Sequence, residues 1–197
     1  MFFRILIVIL LLLMTGCSGR VSETNIELQE YLPDGEIGTK YISFLTHTGN
    51  SAIKEEKTII SKTNNCITLN IKLIRDGHRE SNSTKKFCVK NNILYSDNIL
   101  EEYPLIDLNK KSWKGYKMHI EGQDTDMMCA LDSTGKVFFD NEEHQTLVVK
   151  CEAKNIILTF IYATKLGLVE IKQMVKDFGI VGGIKLESIV SSKENRG

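Results

Sequence analysis

The chain is poor in proline, with only Pro33 and Pro104 among 197 residues, and Trp113 is its single tryptophan. It also lacks net charge, since 25 basic side chains stand against 25 acidic ones. A neutral chain offers a polyanion no broad field, and no basic stripe interleaved with aromatics occurs, so nucleic acid is not an expected partner. Long helical periodicity is absent, which argues against an all-helical fold. Signatures of chemistry are missing too. No serine sits in Gly-x-Ser-x-Gly, and no Gly-x-Gly-x-x-Gly or Gly-Lys-[Ser/Thr] loop surrounds Gly182-Gly183. His47, His78, His119 and His144 are scattered, and no Cys-x-x-Cys occurs, so no metal centre and no redox pair is expected. Asp124-Thr125-Asp126, with Glu121 nearby, lacks the glycine and terminal glutamate of a calcium loop and reads as a solvated turn. His78 and His144 likewise read as exposed turn residues. No catalytic residue and no cofactor is nominated, and the chain is not read as an enzyme.

What the sequence does have is a greasy beginning. Arg4 is the only charge before Arg20, and Ile5 to Met14 is an unbroken apolar run. A basic start, a short apolar core and small residues behind it make a secretory signal peptide. The rival, a permanent membrane span, needs about 20 apolar residues, and this run is too short. Met14-Thr15-Gly16-Cys17 then resembles the lipobox of bacterial lipoproteins. That resemblance implies cleavage before Cys17 and acylation of Cys17, which becomes the N-terminus. Two acyl chains are what stable anchoring requires, since one binds only marginally. Ser18, where aspartate favours retention in the inner membrane, implies the outer membrane in a Gram-negative cell. The expected organisation is a signal peptide over 1–16, an acylated tether over 17–30, one domain over 31–190 and a polar tail over 191–197. The mature chain of about 180 residues is enough for one domain with a real core.

The body reads as all-β. Ile67, Leu69, Ile71 and Leu73 alternate with Thr68, Asn70 and Lys72, the period-two mark of a half-buried strand. Similar runs lie at 40–46, 53–61, 84–90, 116–121, 136–139, 146–152, 156–163, 168–176 and 180–190. Turn signals such as Asn91-Asn92 and Asp140-Asn141 separate them. About ten strands joined by short turns predict antiparallel sheets, forming a sandwich or a curled open half-barrel. Ser96–Asn109 shows no clean alternation and reads as a crossing loop or a helical turn. Consecutive glycines at 182 and 183 read as a bulge or bend where another backbone or a ligand comes close.

Three segments, "YLPDGEIGTKYIS" (Tyr31–Ser43), "YPLIDLNKKSW" (Tyr103–Trp113) and "YATKLGLVEIK" (Tyr162–Lys172), resemble landmarks of a group of bacterial envelope lipoproteins. The resemblance implies an all-β domain with broad sheets similar to the half-barrels of lipoprotein carriers. It implies no activity.

Four cysteines remain, Cys66, Cys88, Cys129 and Cys151, and an even set in an exported protein suggests disulfides. Cys66–Cys88 and Cys129–Cys151 are equally spaced and centre on Gly77 and Asp140, both in turn signals. Cysteines placed evenly about a turn face each other when the hairpin closes. The other two pairings, and four buried thiols, are the alternatives.

The C-terminal strands 156–163 and 168–176 are expected to form a hairpin across Thr164–Gly167. Both faces of the first are largely apolar, so the second face is either covered or lines a cavity. Phe160, Tyr162 and Trp113 are the candidate lining residues, with core filling as the alternative. The expected function is a non-catalytic binding module for an apolar ligand or partner, held to the membrane by its acyl chains, with a lipid or an envelope protein as partner. A structural lipoprotein of an envelope complex is the alternative, and a hydrolase with residues from distant strands a third.

Overall fold

A computed structural model describes residues 26–47, 53–75, 78–96, 103–120 and 122–192. Twelve strands form a single antiparallel sheet: β1 Lys40–His47, β2 Ile53–Lys62, β3 Cys66–Arg75, β4 His78–Lys90, β5 Ile93–Ser96, β6 Ile106–Asp107, β7 Trp113–Ile120, β8 Gln123–Phe139, β9 Glu142–Ala153, β10 Ile156–Ala163, β11 Gly167–Val175 and β12 Gly179–Val190. Apart from one pairing, each strand neighbours those adjacent in sequence. The order β6-β5-β4-β3-β2-β1-β12-β11-β10-β9-β8-β7 describes two six-strand meanders, β1–β6 and β7–β12, seamed by β1 against β12.

Turn chemistry explains the local order. Asn91-Asn92 and Asp140-Asn141 all carry positive φ, between 50° and 63°. A two-residue hairpin turn whose twist matches the strands needs that conformation at both positions, and Asn and Asp tolerate it. Lys165 at 65° and Gly167 at 75° turn β10 into β11, so the expected hairpin across Thr164–Gly167 is present.

The sheet curls until its outer strands, β6 and β7, approach. They share no backbone ladder, and side chains bridge the gap. Trp113 Nε1–H donates to the Pro104 carbonyl at 3.1 Å, and the Tyr103 hydroxyl donates to Asp126 Oδ1 at 3.0 Å. The architecture is therefore an almost closed barrel rather than a sandwich.

Period-two signals found ten strands, and the other two, β5 and β6, are short pieces in or beside the ambiguous 96–109 stretch. β8 is longer than expected: between the buried Met127 and Cys129 and the partly buried Val137 and Phe139, residues Asp132–Lys136 are exposed on both faces and give no alternation. Asp124-Thr125-Asp126 therefore lies in a strand and not in a turn. β4 likewise begins at His78, in a polar run with no alternation to betray it. His144, expected in an exposed turn, is buried in β9, where its Nδ1–H donates to the Thr164 carbonyl at 2.8 Å.

Both cysteine pairs favoured by the spacing are joined, Cys66–Cys88 and Cys129–Cys151, each across adjacent strands with a sequence separation of 22. Their Cα atoms lie 4.1 and 4.0 Å apart, at directly opposed ladder positions. Gly115 makes room for the second bridge, since a Cβ there would stand 2.2 Å from Cys129 Sγ. Gly183 has a similar cause: a Cβ would stand 2.2 Å from the Ile171 carbonyl oxygen on β11. The expected close approach of another backbone is thus present at Gly183, and a register shift falls beside it between Gln173 and Met174.

The chain enters the domain through a 3-10 turn, Leu28–Tyr31, that lies across the end of the sheet carrying the turns at 140–141 and 164–166. Lys165 N–H donates to the Glu30 carbonyl at 2.6 Å, and Asp34 N–H donates to the Lys165 carbonyl at 2.7 Å. Leu28 is wholly buried and Tyr31 nearly so. The packed domain thus includes the last residues assigned to the tether. Residues 1–25, which hold Cys17 and the expected signal peptide, and residues 193–197 lie outside the described residues.

Candidate functional site

Curling a sheet turns one face of every strand inward, and alternate residues then share an interior. Here that interior holds a cavity of about 330 Å3. Its volume is at the low end of the range for small-molecule sites. The second meander supplies an apolar and aromatic wall: Tyr116 from β7, Phe160 and Tyr162 from β10, Leu168 and Ile171 from β11, and Ile184 and Leu186 from β12. The first meander supplies Leu69, Ile71, Phe87 and Leu94, and among them the polar residues Ser43, Glu55, Lys57, Lys85 and Ser96.

Tyr31, Leu32 and Pro33 floor the cavity at one end of the strands. Pro33 rests against Gly167, where a Cβ would meet the proline ring at 2.8 Å, so this contact and the positive φ both call for glycine. An ion pair between Lys62 and Asp34 holds the same segment from outside. Inside, the Tyr41 hydroxyl accepts from Gly35 N–H at 3.1 Å. Lys57 stands beside Tyr41, two residues nearer the floor than the Ser43–Glu55 pair, and Glu55 lies toward the opposite end, near the β1–β2 connection. No turn at that end lines the cavity among the described residues.

Aromatic contacts stiffen the apolar wall. The rings of Tyr116 and Phe160 stack with centroids 4.9 Å apart and planes 7° from parallel. The Tyr116 and Tyr162 hydroxyls hydrogen-bond to each other, and burial pushes both phenols well above their ordinary value. Across the cavity, Lys57 Nζ lies 2.7 Å from Glu55 Oε2, with both side chains largely buried. Ser96 is 1% exposed, and its Oγ has no hydrogen-bond partner among the described residues.

Phe160 and Tyr162 thus line the cavity, as the paired apolar faces of their strand suggested. Trp113 does not. It is buried at the seam between β7 and the segment before β6, bonded to Pro104, and its role is closure of the sheet. His78, His119 and His144 do not converge, and no group of three or more metal-ligating side chains occurs among the described residues. Asp124 pairs with His119 at 3.1 Å and Asp126 with Lys114 at 2.7 Å, on the exposed β7–β8 hairpin. All four core cysteines are in disulfides and offer no thiol.

Sequence reasoning missed the polar side of the cavity. In Ile53–Lys62 charge falls on both faces: Lys54 and Glu56 pair at 2.6 Å on one, Glu55 and Lys57 on the other. A strand with charge on both faces gives no phase. The only signal was Ile59, which shares the parity of Glu55 and Lys57 and is wholly buried.

No protein-family model and no curated protein matches the chain. Among solved structures, a Bacteroides fragilis protein named as exported and as having a YmcC-like fold superposes with a TM-score of 0.55 at 9% identity, covering 81% of this chain and 99% of that one. A Parabacteroides distasonis protein named as a lipoprotein superposes with a TM-score of 0.53 at 12% identity, covering 81% of this chain and 98% of that one. At such identities the likeness is one of fold.

Proposed function

We propose that this chain is an envelope lipoprotein, anchored through acylated Cys17, whose barrel is a non-catalytic binding module for a small apolar ligand. The observation that carries the reading is the cavity: about 330 Å3, walled by aromatic and aliphatic side chains and floored by the N-terminal segment. A water molecule occupies about 30 Å3 of liquid and a methylene group is of similar bulk, so roughly ten carbons fill the space. Each methylene that leaves water for such a site contributes about 0.8 kcal/mol, close to a fourfold gain in affinity. The envelope location draws support from the signal peptide and lipobox, from the two disulfides, and from the exported protein and lipoprotein that share the fold.

The second reading, a scaffold for an envelope complex, draws on Phe138, Phe178 and Ile180, which are 73%, 80% and 64% exposed on the hairpins β8–β9 and β11–β12. Native mass spectrometry of protein purified from membranes separates the two. A one-to-one amphiphile adduct supports the binding module, and a stoichiometric protein partner without an amphiphile supports the scaffold. Ile184→Trp, which fills the cavity from β12, is expected to fold and to lose the adduct. A folded Ile184→Trp protein that keeps its adduct overturns the cavity as the site.

A further inference from the structure

The cavity is not uniformly apolar, and its polar groups are segregated. Ser43, Glu55, Lys57, Lys85 and Ser96 all belong to β1–β5, whereas β10–β12 contribute aliphatic and aromatic side chains with the Tyr162 hydroxyl tied to Tyr116. Among these residues two lysines face one glutamate. Lys57 Nζ is ion-paired with Glu55 at 2.7 Å, but Glu55 Oε2 has no hydrogen-bond partner among the described residues, so the pair does not use up the ammonium's three donors. Lys85 lines the cavity and is also exposed to solvent. The register puts Lys57 beside Ile71, and Lys85 beside Leu69, two residues along the same strand, so both lysines approach one region of the interior. Ser96 stands opposite Phe87, two residues from Lys85, with its buried hydroxyl unpartnered among the described residues.

Burying a hydroxyl without a partner, and an ammonium whose carboxylate neighbour it does not hydrogen-bond, is unfavourable in a site meant for hydrocarbon alone. A ligand that brings negative charge and hydrogen-bond acceptors to this side relieves both costs. We infer that the ligand is an acidic amphiphile, with a singly charged carboxylate head held by Lys57 and Lys85 and an apolar tail lying along Phe160, Tyr116 and Leu186. This inference rests on the cavity being the ligand site, as proposed above, and names the chemistry that the site selects.

The test is a competition, read by native mass spectrometry, in which the purified full chain is offered equal concentrations of dodecanoate, dodecanol and dodecyltrimethylammonium. The three share one tail, so the ratio of bound species reports the head group. Dodecanoate is expected to exceed dodecanol at least tenfold, with the cation weakest. In Lys57→Met/Lys85→Met the ratio of dodecanoate to dodecanol is expected to fall to within twofold. Because Lys57→Met leaves Glu55 without its cation, Lys85→Met alone, at an exposed position, is the second variant and is expected to lower the ratio severalfold. Equal binding of all three compounds by the unaltered protein overturns the head-group assignment and leaves the apolar site standing. Binding of none overturns the ligand site itself. A carboxylate preference that survives in both variants overturns the role of the two lysines.

Discussion

Tyr116 and Tyr162 keep their hydroxyls against each other inside the curled sheet, and burial raises both phenols, with Tyr162 raised further by the neighbouring Tyr116. A phenol whose pKa is raised in the folded state binds its proton more tightly there than in the unfolded chain. The stability this represents is fully present below the unfolded value near 10 and is lost as pH climbs toward the folded values. The protein is therefore expected to unfold cooperatively in alkali, with phenolate absorbance from these two residues appearing only with loss of sheet circular dichroism. Replacing both by phenylalanine is expected to move the alkaline midpoint upward. Smooth ionisation of all tyrosines at pH 10 with the sheet intact would contradict the burial described for them. At this scale the sequence was legible where chemistry and parity agree. Phe160 and Tyr162 alternate in a strand apolar on both faces, and both line the interior. Lys57 and Glu55 were not legible, because the adjacent Lys54 and Glu56 erase the contrast between faces.

Each disulfide joins neighbouring strands, β3 to β4 and β8 to β9, so each staples one hairpin and neither ties the two meanders together. Closing a loop of this length contributes about 3 kcal/mol in the chain-entropy model. Cys129→Ala/Cys151→Ala is thus expected to lower stability by about that amount, shifting the urea midpoint down by roughly 1.5 M while the transition stays cooperative. An unchanged midpoint would show that the pair is dispensable. Hairpins were the most legible elements, because the paired asparagines at 91–92 and the Asp140-Asn141 turn advertise their backbone conformation. Strand lengths were legible only where one face is buried. β8 runs through Asp132–Lys136 with both faces wet, and there its hydrogen-bonded partner β9, not its own pattern, keeps it extended.

At the scale of the molecule, the N-terminal segment packs under the same end of the barrel that it floors. An anchor at Cys17 lies nine residues before Ile26, a reach of at most about 30 Å. If Cys17 is acylated as proposed, the floored end is held within that distance of the bilayer. Cys17→Ala is expected to abolish incorporation of a fatty-acid label and to leave an unprocessed precursor, and undiminished labelling would overturn the anchor. The curl and its cavity were not legible in the sequence, because they depend on one pairing between distant segments, in which Lys40 meets Val190. Nothing in either strand marks the other as its partner.

That seam has a consequence in time. A ribosome completes β1 long before β12, with roughly 140 residues of synthesis between them, on the order of 10 s at ordinary elongation rates. Throughout that interval one edge of β1 has no strand to pair with, while the hairpins of its own meander can already form. The final dozen residues of the barrel join the two halves. A chain that loses them loses the joint, and both halves are left with open edges, the geometry from which strand-to-strand aggregation starts.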